Sequence, residues 1–229
     1  MNRQTNEQNS IHDIMDTFLK GIEGKTLVAG YGSLLSRYSR ERYSNIDGIG
    51  MPVRVKGWER AWITRSLEEK QTYAGALANK HAQLNAVLIA LDINPEFEKR
   101  EQDYRFTKLD PSVLALDTSN DEYSPQPIHN LATENLRQAL TRHPIYICES
   151  LRINTSTAEY PVHFSYIDTC LAGCHEIDAQ HGPERFFAMT TGWQDGVFVD
   201  DTKKPNYPRY TPNKNNDWNI HVLLNKYRK

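Results

Sequence analysis

A chain of 229 residues is long enough to bury a sizeable core and fits one domain, or a domain with an extension. Its 38% hydrophobic and 24% charged content is that of an ordinary globular protein, and 27 Lys and Arg against 29 Asp and Glu leave a net charge of −2, so no nucleic-acid partner is expected. The N-terminus has no apolar leader core and no run approaches the roughly 20 apolar residues of a membrane span, so the cytoplasm is expected and no membrane partner. Three cysteines, Cys148, Cys170 and Cys174, make a poor disulfide framework because one is left over.

In chain order, residues Met1 to Ser10 read as a frayed tail, with Ser10 the N-cap of a helix carrying Ile11, Ile14, Met15, Phe18 and Leu19 on one face and ending at Gly21. "TLVAGYG" reads as a short buried strand that stops at glycine, and "LLSRYSRERYS" as the helix after it. "MPVRVKGWERAWITRS" is one long strand with Gly57 at a bend, followed by two more strands, "TYAGALANK" and "LNAVLIALD". Asn94 and Pro95 open a short helix over "NPEFEKREQDYR", and "DYRFTKLD" returns to a strand. Residues 116–128 are polar and Pro-containing and read as a linker; "LATENLRQALTRH" follows as an amphipathic helix, "PIYICESLRI" as a strand and "VHFSYIDTCLAGCHEID" as a helix. From Gly182 onward turn residues mix with aromatics. Helices at irregular places among bent strands indicate an α+β fold.

Four chemistries compete for these residues. Gly30-x-Gly32 begins a dinucleotide fingerprint, but Leu35 occupies the third glycine position and Asp47 sits in a turn. Ser33 lacks the G-x-S-x-G context of a nucleophilic serine, and no spacing selects a base among His129, His143, His163, His175 and His181. Cys170, Cys174 and His175, with Asp168 before them, share helical spacing, but a second ligand pair is missing. No metal or other cofactor is therefore expected. Carboxylates remain: Glu96, Glu98 and Glu101 lie on one short helix with Asp103 beside it, and Glu98 and Glu101 are three apart. A solvated helix face is the plain account. Yet Glu101, with Tyr104 three residues on, stands where the helix meets an apolar strand. A carboxyl buried there has its charged form disfavoured, which makes it a better general base.

Taken together, Tyr31-Gly32-Ser33-Leu34 closing the first strand and Arg100-Glu101 with Tyr104 after a later one resemble the γ-glutamylcyclotransferase superfamily. Its members share a Y-G-S/T-L/N loop and a glutamate within R-E-x(2–3)-Y. The likeness covers about Thr26 to Leu109; Asn85 stands where glycine is common, and later stretches such as "PNYPRY" resemble a longer bacterial branch. The resemblance implies a small mixed β-barrel flanked by helices: a tail and helix over 1–24, a core over 25–115, and a linker, helices and C-terminal extension over 116–229 packing on it. It also implies a reaction, the cyclisation of a small γ-glutamyl amide or amine to 5-oxoproline without a cofactor. Glu101 would be the general base and acid, and Tyr31, Gly32, Ser33, Leu34 and Tyr104 would bind substrate. The N–H groups of the loop would hold the α-carboxylate as backbone nests hold anions. The identity of the leaving amine and the use of residues 116–142 (substrate choice or a homo-oligomer contact) stay open. The alternative is an inactive ligand-binding or regulatory module of the same fold.

Overall fold

The computed structural model describes residues 2–117, 126–213 and 217–228. The predicted linker falls largely on 118–125, outside the described residues.

The first helix, α1, runs over Asn2–Lys20 rather than starting at Ser10. No glycine or proline interrupts this stretch, so nothing stops the helix from propagating toward the N-terminus. Met15 and Phe18 are buried, and Gly21 N–H closes on Phe18 O. Strand β1 (Thr26–Gly30) is buried almost throughout. After a single 3-10 turn, Ser33–Leu35, helix α2 (Arg37–Ser44) starts at Ser36, whose hydroxyl accepts from Ser39 N–H at 3.2 Å.

Strand β2 (Met51–Ser66) pairs antiparallel with β3 (Gln71–Leu91). Gly57 sits at φ +80°, a conformation glycine adopts without steric cost, and there the pairing jumps from Lys56–Gln83 to Trp58–Ala78. Residues 79–82 are the surplus on β3. This bulge breaks the hydrophobic alternation, which is why the sequence suggests two strands where the backbone makes one.

Helix α3 (Pro95–Arg100) is capped by Asn94, whose side chain accepts from Phe97 N–H at 2.9 Å, and strand β4 (Tyr104–Lys108) follows. Strand β5 (Leu114–Leu116), helix α4 (Gln126–Leu140), strand β6 (Ile145–Ser150), short strand β7 (Val162–His163) and helix α5 (Phe164–Ile177) come next. The region from Gly182 holds more regular structure than its turn residues suggest: α6 (Gly182–Ala188), β8 (Thr190–Thr191), β9 (Phe198–Val199) and α7 (Ile220–Tyr227). Short helices of this length escape a periodicity reading, and α6 forms because Phe186 and Phe187 are buried.

The fold is α+β with a mostly antiparallel sheet in the order β4-β6-β1-β3-β2-β5, β8 pairing with β2. β6 runs parallel to β1 and also meets the far half of β3 at Ala76–Glu149, so β1, β3 and β6 touch pairwise and the sheet curls tightly. β6 lies between β4 and β1, so the sheet does not end at residue 115 but draws on the later chain. Against it stands an aromatic cluster in which Trp62 meets Tyr166, Phe186, Trp193 and Phe198 at ring-centroid distances of 4.9–6.2 Å.

Candidate active site

Where β1 ends, the chain leaves the sheet through Tyr31 and Gly32 and tightens into the Ser33–Leu35 turn. The first bond of that turn runs from Leu35 N–H to Gly32 O at 2.9 Å. The N–H groups of Gly32, Ser33 and Leu34 therefore precede it, as at the start of any helical turn. Leu34 and Leu35 are buried and anchor the turn in the core.

Two buried arginines fix the loop from below. Arg40 donates to Leu34 O at 2.7 Å and Leu35 O at 2.9 Å. Arg60, fully buried on β2, donates to Tyr31 O at 2.9 Å, to Asn85 O and Oδ1 at 3.1 and 2.7 Å, to Phe186 O at 3.0 Å and to Thr190 Oγ1 at 2.7 Å. All five partners are neutral, and burial pushes its pKa down to about 10. Asn85, where the resembled family commonly has glycine, supplies two of those acceptors.

The carboxylate enters from the other side. α3 ends at Arg100, and Glu101 is its C-cap at φ −101°, ψ 20°; this change of direction turns Glu101 inward to 7% exposure while Glu96 and Glu98 stay in solvent. Glu98 and Glu101 thus do not share a face, because the helix stops between them. Glu101 Oε1 lies 3.5 Å from Arg100 Nε, and Cys148 lines the same pocket. Burial raises the Glu101 pKa above the ordinary carboxylate value, opposed by Arg100 and the Cys148 thiol. Arg100 continues past Glu101: its Nη1 donates to Ser44 Oγ at 2.7 Å and its Nη2 to Ser33 Oγ at 2.8 Å.

These parts meet in one pocket. Tyr31, Gly32, Ser33, Leu34, Glu101 and Tyr104, the six residues selected from sequence, all line it. Tyr31 donates to Cys148 O and accepts from Ala76 N–H at 3.0 Å, while Tyr104 donates to Ala74 O at 2.8 Å. A Cβ on Gly32 would stand 2.6 Å from the Tyr166 hydroxyl, so the glycine is first of all required by a neighbouring side chain.

Sequence reasoning gave no role to the other walls. Tyr73 comes from β3, Cys148 from β6 and Tyr166 from α5, and Tyr207 and Arg209 come from the C-terminal "PNYPRY". The rings of Tyr73, Tyr166 and Tyr207 cluster at 4.7–5.7 Å. The segment bearing Tyr207 is tied down at Asp201, whose carboxylate accepts from Ser165 N–H at 2.8 Å, Ser165 Oγ at 2.6 Å and Asn206 N–H at 2.7 Å. Further on, Thr211 N–H donates to Thr169 Oγ1 at 2.9 Å and Trp218 Nε1 to Asp168 Oδ1 at 2.9 Å. A tyrosine and an arginine set between prolines in a polar stretch was the available signal. Arg209 pairs with Glu69 at 3.0 Å and, with Tyr73, Arg100 and Tyr104, also borders an open cleft.

The remaining candidates lie elsewhere. Cys170 and Cys174 are buried in α5, where Asn85 Nδ2 donates to Cys174 Sγ at 3.7 Å, and His175 Nδ1 lies 3.1 Å from Ala179 O. Asp168 holds Trp218 and Tyr210 instead of facing the cysteines. No cluster of three or more His, Cys, Asp and Glu suited to a metal occurs among the described residues. No helix among them is long and apolar enough to cross a membrane.

Fold and site together describe an α+β protein with a buried carboxylate facing a strand-to-helix turn across a tyrosine-walled pocket. Among solved structures, one called gamma-glutamyl cyclotransferase is 12% identical over 76% of this chain and 94% of its own, with TM-score 0.44. The Homo sapiens protein loc79017 matches at 12% identity over the same shares of the two chains, with TM-score 0.46. A yeast gamma-glutamyl cyclotransferase described as specific to glutathione is 13% identical over 72% of this chain and 86% of its own, with TM-score 0.35. No protein-family model matches the sequence, and no curated protein does. The likeness is one of chain path, and no residue correspondence follows from it.

Proposed function

We propose that this protein cyclises a γ-glutamyl amide or amine to 5-oxoproline and releases the amine. The observation that carries the reading is Glu101: a buried carboxylate of raised proton affinity, in a small pocket whose opposite wall is a turn with leading N–H groups. The nucleophile is the substrate's own α-amine, and folding the glutamyl chain into the pocket places it beside the γ-carbon, where ring closure gains from proximity. The N–H groups of Gly32, Ser33 and Leu34 hold the α-carboxylate. Glu101 takes a proton from the α-ammonium, the freed amine bonds to the γ-carbon, and the C–N bond to the departing amine breaks as that nitrogen is protonated from Glu101. Net, two protons move from the α-nitrogen to the departing nitrogen, so the carboxylate ends as it began. Tyr31 and Tyr104 wall the glutamyl chain, and the departing amine leaves past Tyr73 and Arg209 toward the outer cleft.

One observation favours the alternative. Arg100 lies beside Glu101, and in an inactive binding module that pair would serve structure alone. A screen for 5-oxoproline release across glutathione, γ-glutamyl amino acids and γ-glutamyl amines separates the two. Protein-dependent release from any member supports the enzyme, whereas binding without release throughout the panel supports the module.

A further inference from the structure

The cyclisation needs more than a proton carrier, because the γ-carbonyl oxygen gains charge when the amine attacks. A donor for it emerges from a count of protons on the pocket wall. Ser33 Oγ accepts from Arg100 Nη2 at 2.8 Å, Tyr207 Oη accepts from Arg209 Nε at 3.1 Å, and the two oxygens lie 2.7 Å apart. Arginine only donates, so neither hydroxyl proton is spent on a guanidinium. Two hydroxyl protons remain and one bond between the hydroxyls uses one of them. That bond runs from the Tyr207 hydroxyl to Ser33 Oγ, so the proton left over is that of Ser33. Neither oxygen has a further partner among the described residues, Ser33 and Tyr207 are 9% and 2% exposed, and both line the pocket. A buried donor without an acceptor is costly, so a ligand is the natural place for it to be satisfied.

We propose that the Ser33–Tyr207 hydroxyl pair, polarised at its ends by Arg100 and Arg209, presents this proton to the substrate's γ-carbonyl oxygen. The inference rests on the cyclisation reading above and adds a catalytic group to it. Arg100 sets the geometry: its Nε faces Glu101 and its Nη2 faces Ser33, so the proton carrier and the oxygen donor sit on one guanidinium. The substrate presents the same pair close together, an amine nitrogen and a carbonyl oxygen that end on adjacent atoms of one ring. As the C–N bond forms, the carbonyl π pair moves onto the oxygen, which the hydroxyl proton stabilises. The pair returns to the carbonyl as the bond to the departing amine breaks.

The proton count makes an unusual prediction. Tyr207→Phe leaves Ser33 with its own proton, and Ser33→Ala leaves Tyr207 with its own, so each single variant keeps one donor. Only Ser33→Ala/Tyr207→Phe has no hydroxyl donor left. Removing an oxyanion donor costs about 10²- to 10³-fold in kcat. The double variant is expected to lose that much with KM little changed, each single about tenfold or less, and the double loss to exceed the product of the singles. A loss equal to or below that product overturns the proposal, since a purely structural pair gives no such excess. A second readout needs neither turnover nor a variant: wild-type affinity for 3-oxocyclopentanecarboxylate against cyclopentanecarboxylate, two rings differing in the carbonyl oxygen alone. One neutral hydrogen bond predicts about a 2- to 10-fold preference for the ketone, abolished in the double variant. No preference in wild-type protein overturns the donor. A preference that depends on Ser33 and Tyr207, without any cyclisation, keeps the donor and removes the reaction reading; cyclisation with no preference does the reverse.

Discussion

Replacing Glu101 by glutamine removes the proposed base while keeping the shape. The glutamine carbonyl can still face Arg100, 3.5 Å away in the native pair, so the pocket walls stay in place. General acid–base work contributes about 10²- to 10⁴-fold, and because one group acts as both base and acid, kcat is expected to fall toward the upper end of that range. Stability moves the other way. The folded-state pKa of Glu101 lies above its unfolded value, so the folded protein binds the proton more tightly and the wild type loses stability as pH rises from the unfolded pKa through the folded one. Each unit of that rise amounts to about 1.4 kcal/mol, a cost the neutral glutamine does not carry. Glu101→Gln is therefore expected to melt at or above wild type at pH 7.5, with the advantage shrinking as pH falls through the raised folded-state pKa and gone once it reaches the unfolded carboxylate value. Three measurements on one preparation check this: 5-oxoproline release, calorimetric binding of 5-oxoproline, and thermal melts from pH 4 to 8. Glu98→Gln, in solvent on α3, is the control and is expected to be near wild type throughout. Wild-type turnover by Glu101→Gln, or a dead Glu98→Gln, would refute the assignment of the carboxylate.

The same carboxylate sets a pH dependence: kcat/KM is expected to fall on the acid side with an apparent pKa above the ordinary glutamate value, and an acid limb at or below that value would contradict the buried setting. Arg60→Met strips donors from Tyr31 O, Asn85, Phe186 O and Thr190, and with unsatisfied buried acceptors costing about 1–3 kcal/mol each it is expected to lower stability by more than 3 kcal/mol in urea unfolding; a loss under 1 kcal/mol would show the network to be dispensable. Gly32→Ala sets a Cβ 2.6 Å from the Tyr166 hydroxyl, so it is expected to weaken 5-oxoproline binding and lower the melting temperature together, with Tyr166→Phe in the same chain recovering part of the melting loss; strictly additive losses would place the clash elsewhere. Asp201→Ala frees the segment that carries Tyr207 and Arg209, and faster amide exchange over 202–210 with weakened ligand binding is expected, whereas unchanged exchange would mean the segment is held by other contacts.

Local rules in the sequence were enough for the elements with strong local signals. Asn94 and Pro95 open α3 and Gly57 bends β2, because cap and turn chemistry is written in the residues themselves. The break in β3 misled, since a bulge and a turn interrupt hydrophobic alternation alike. The Tyr31–Leu34 turn and Glu101 were legible as a pair, but what surrounds them was not. Tyr166 reaches the pocket from α5 and Tyr207 and Arg209 from a segment more than 170 residues beyond the loop, contacts that no local pattern encodes. The separation of Glu98 from Glu101 was also invisible, because it depends on the helix ending one residue before Glu101.

The central claim is that the attacking nucleophile is the substrate's own amine rather than water. Turnover of a γ-glutamyl substrate in ¹⁸O-labelled water tests it directly, with the products read by mass spectrometry. Cyclisation predicts 5-oxoproline free of the label, its carbonyl oxygen being that of the substrate, in equal amount to the amine released. Labelled glutamate as the first product would show that Glu101 and its pocket activate water, and would contradict the account.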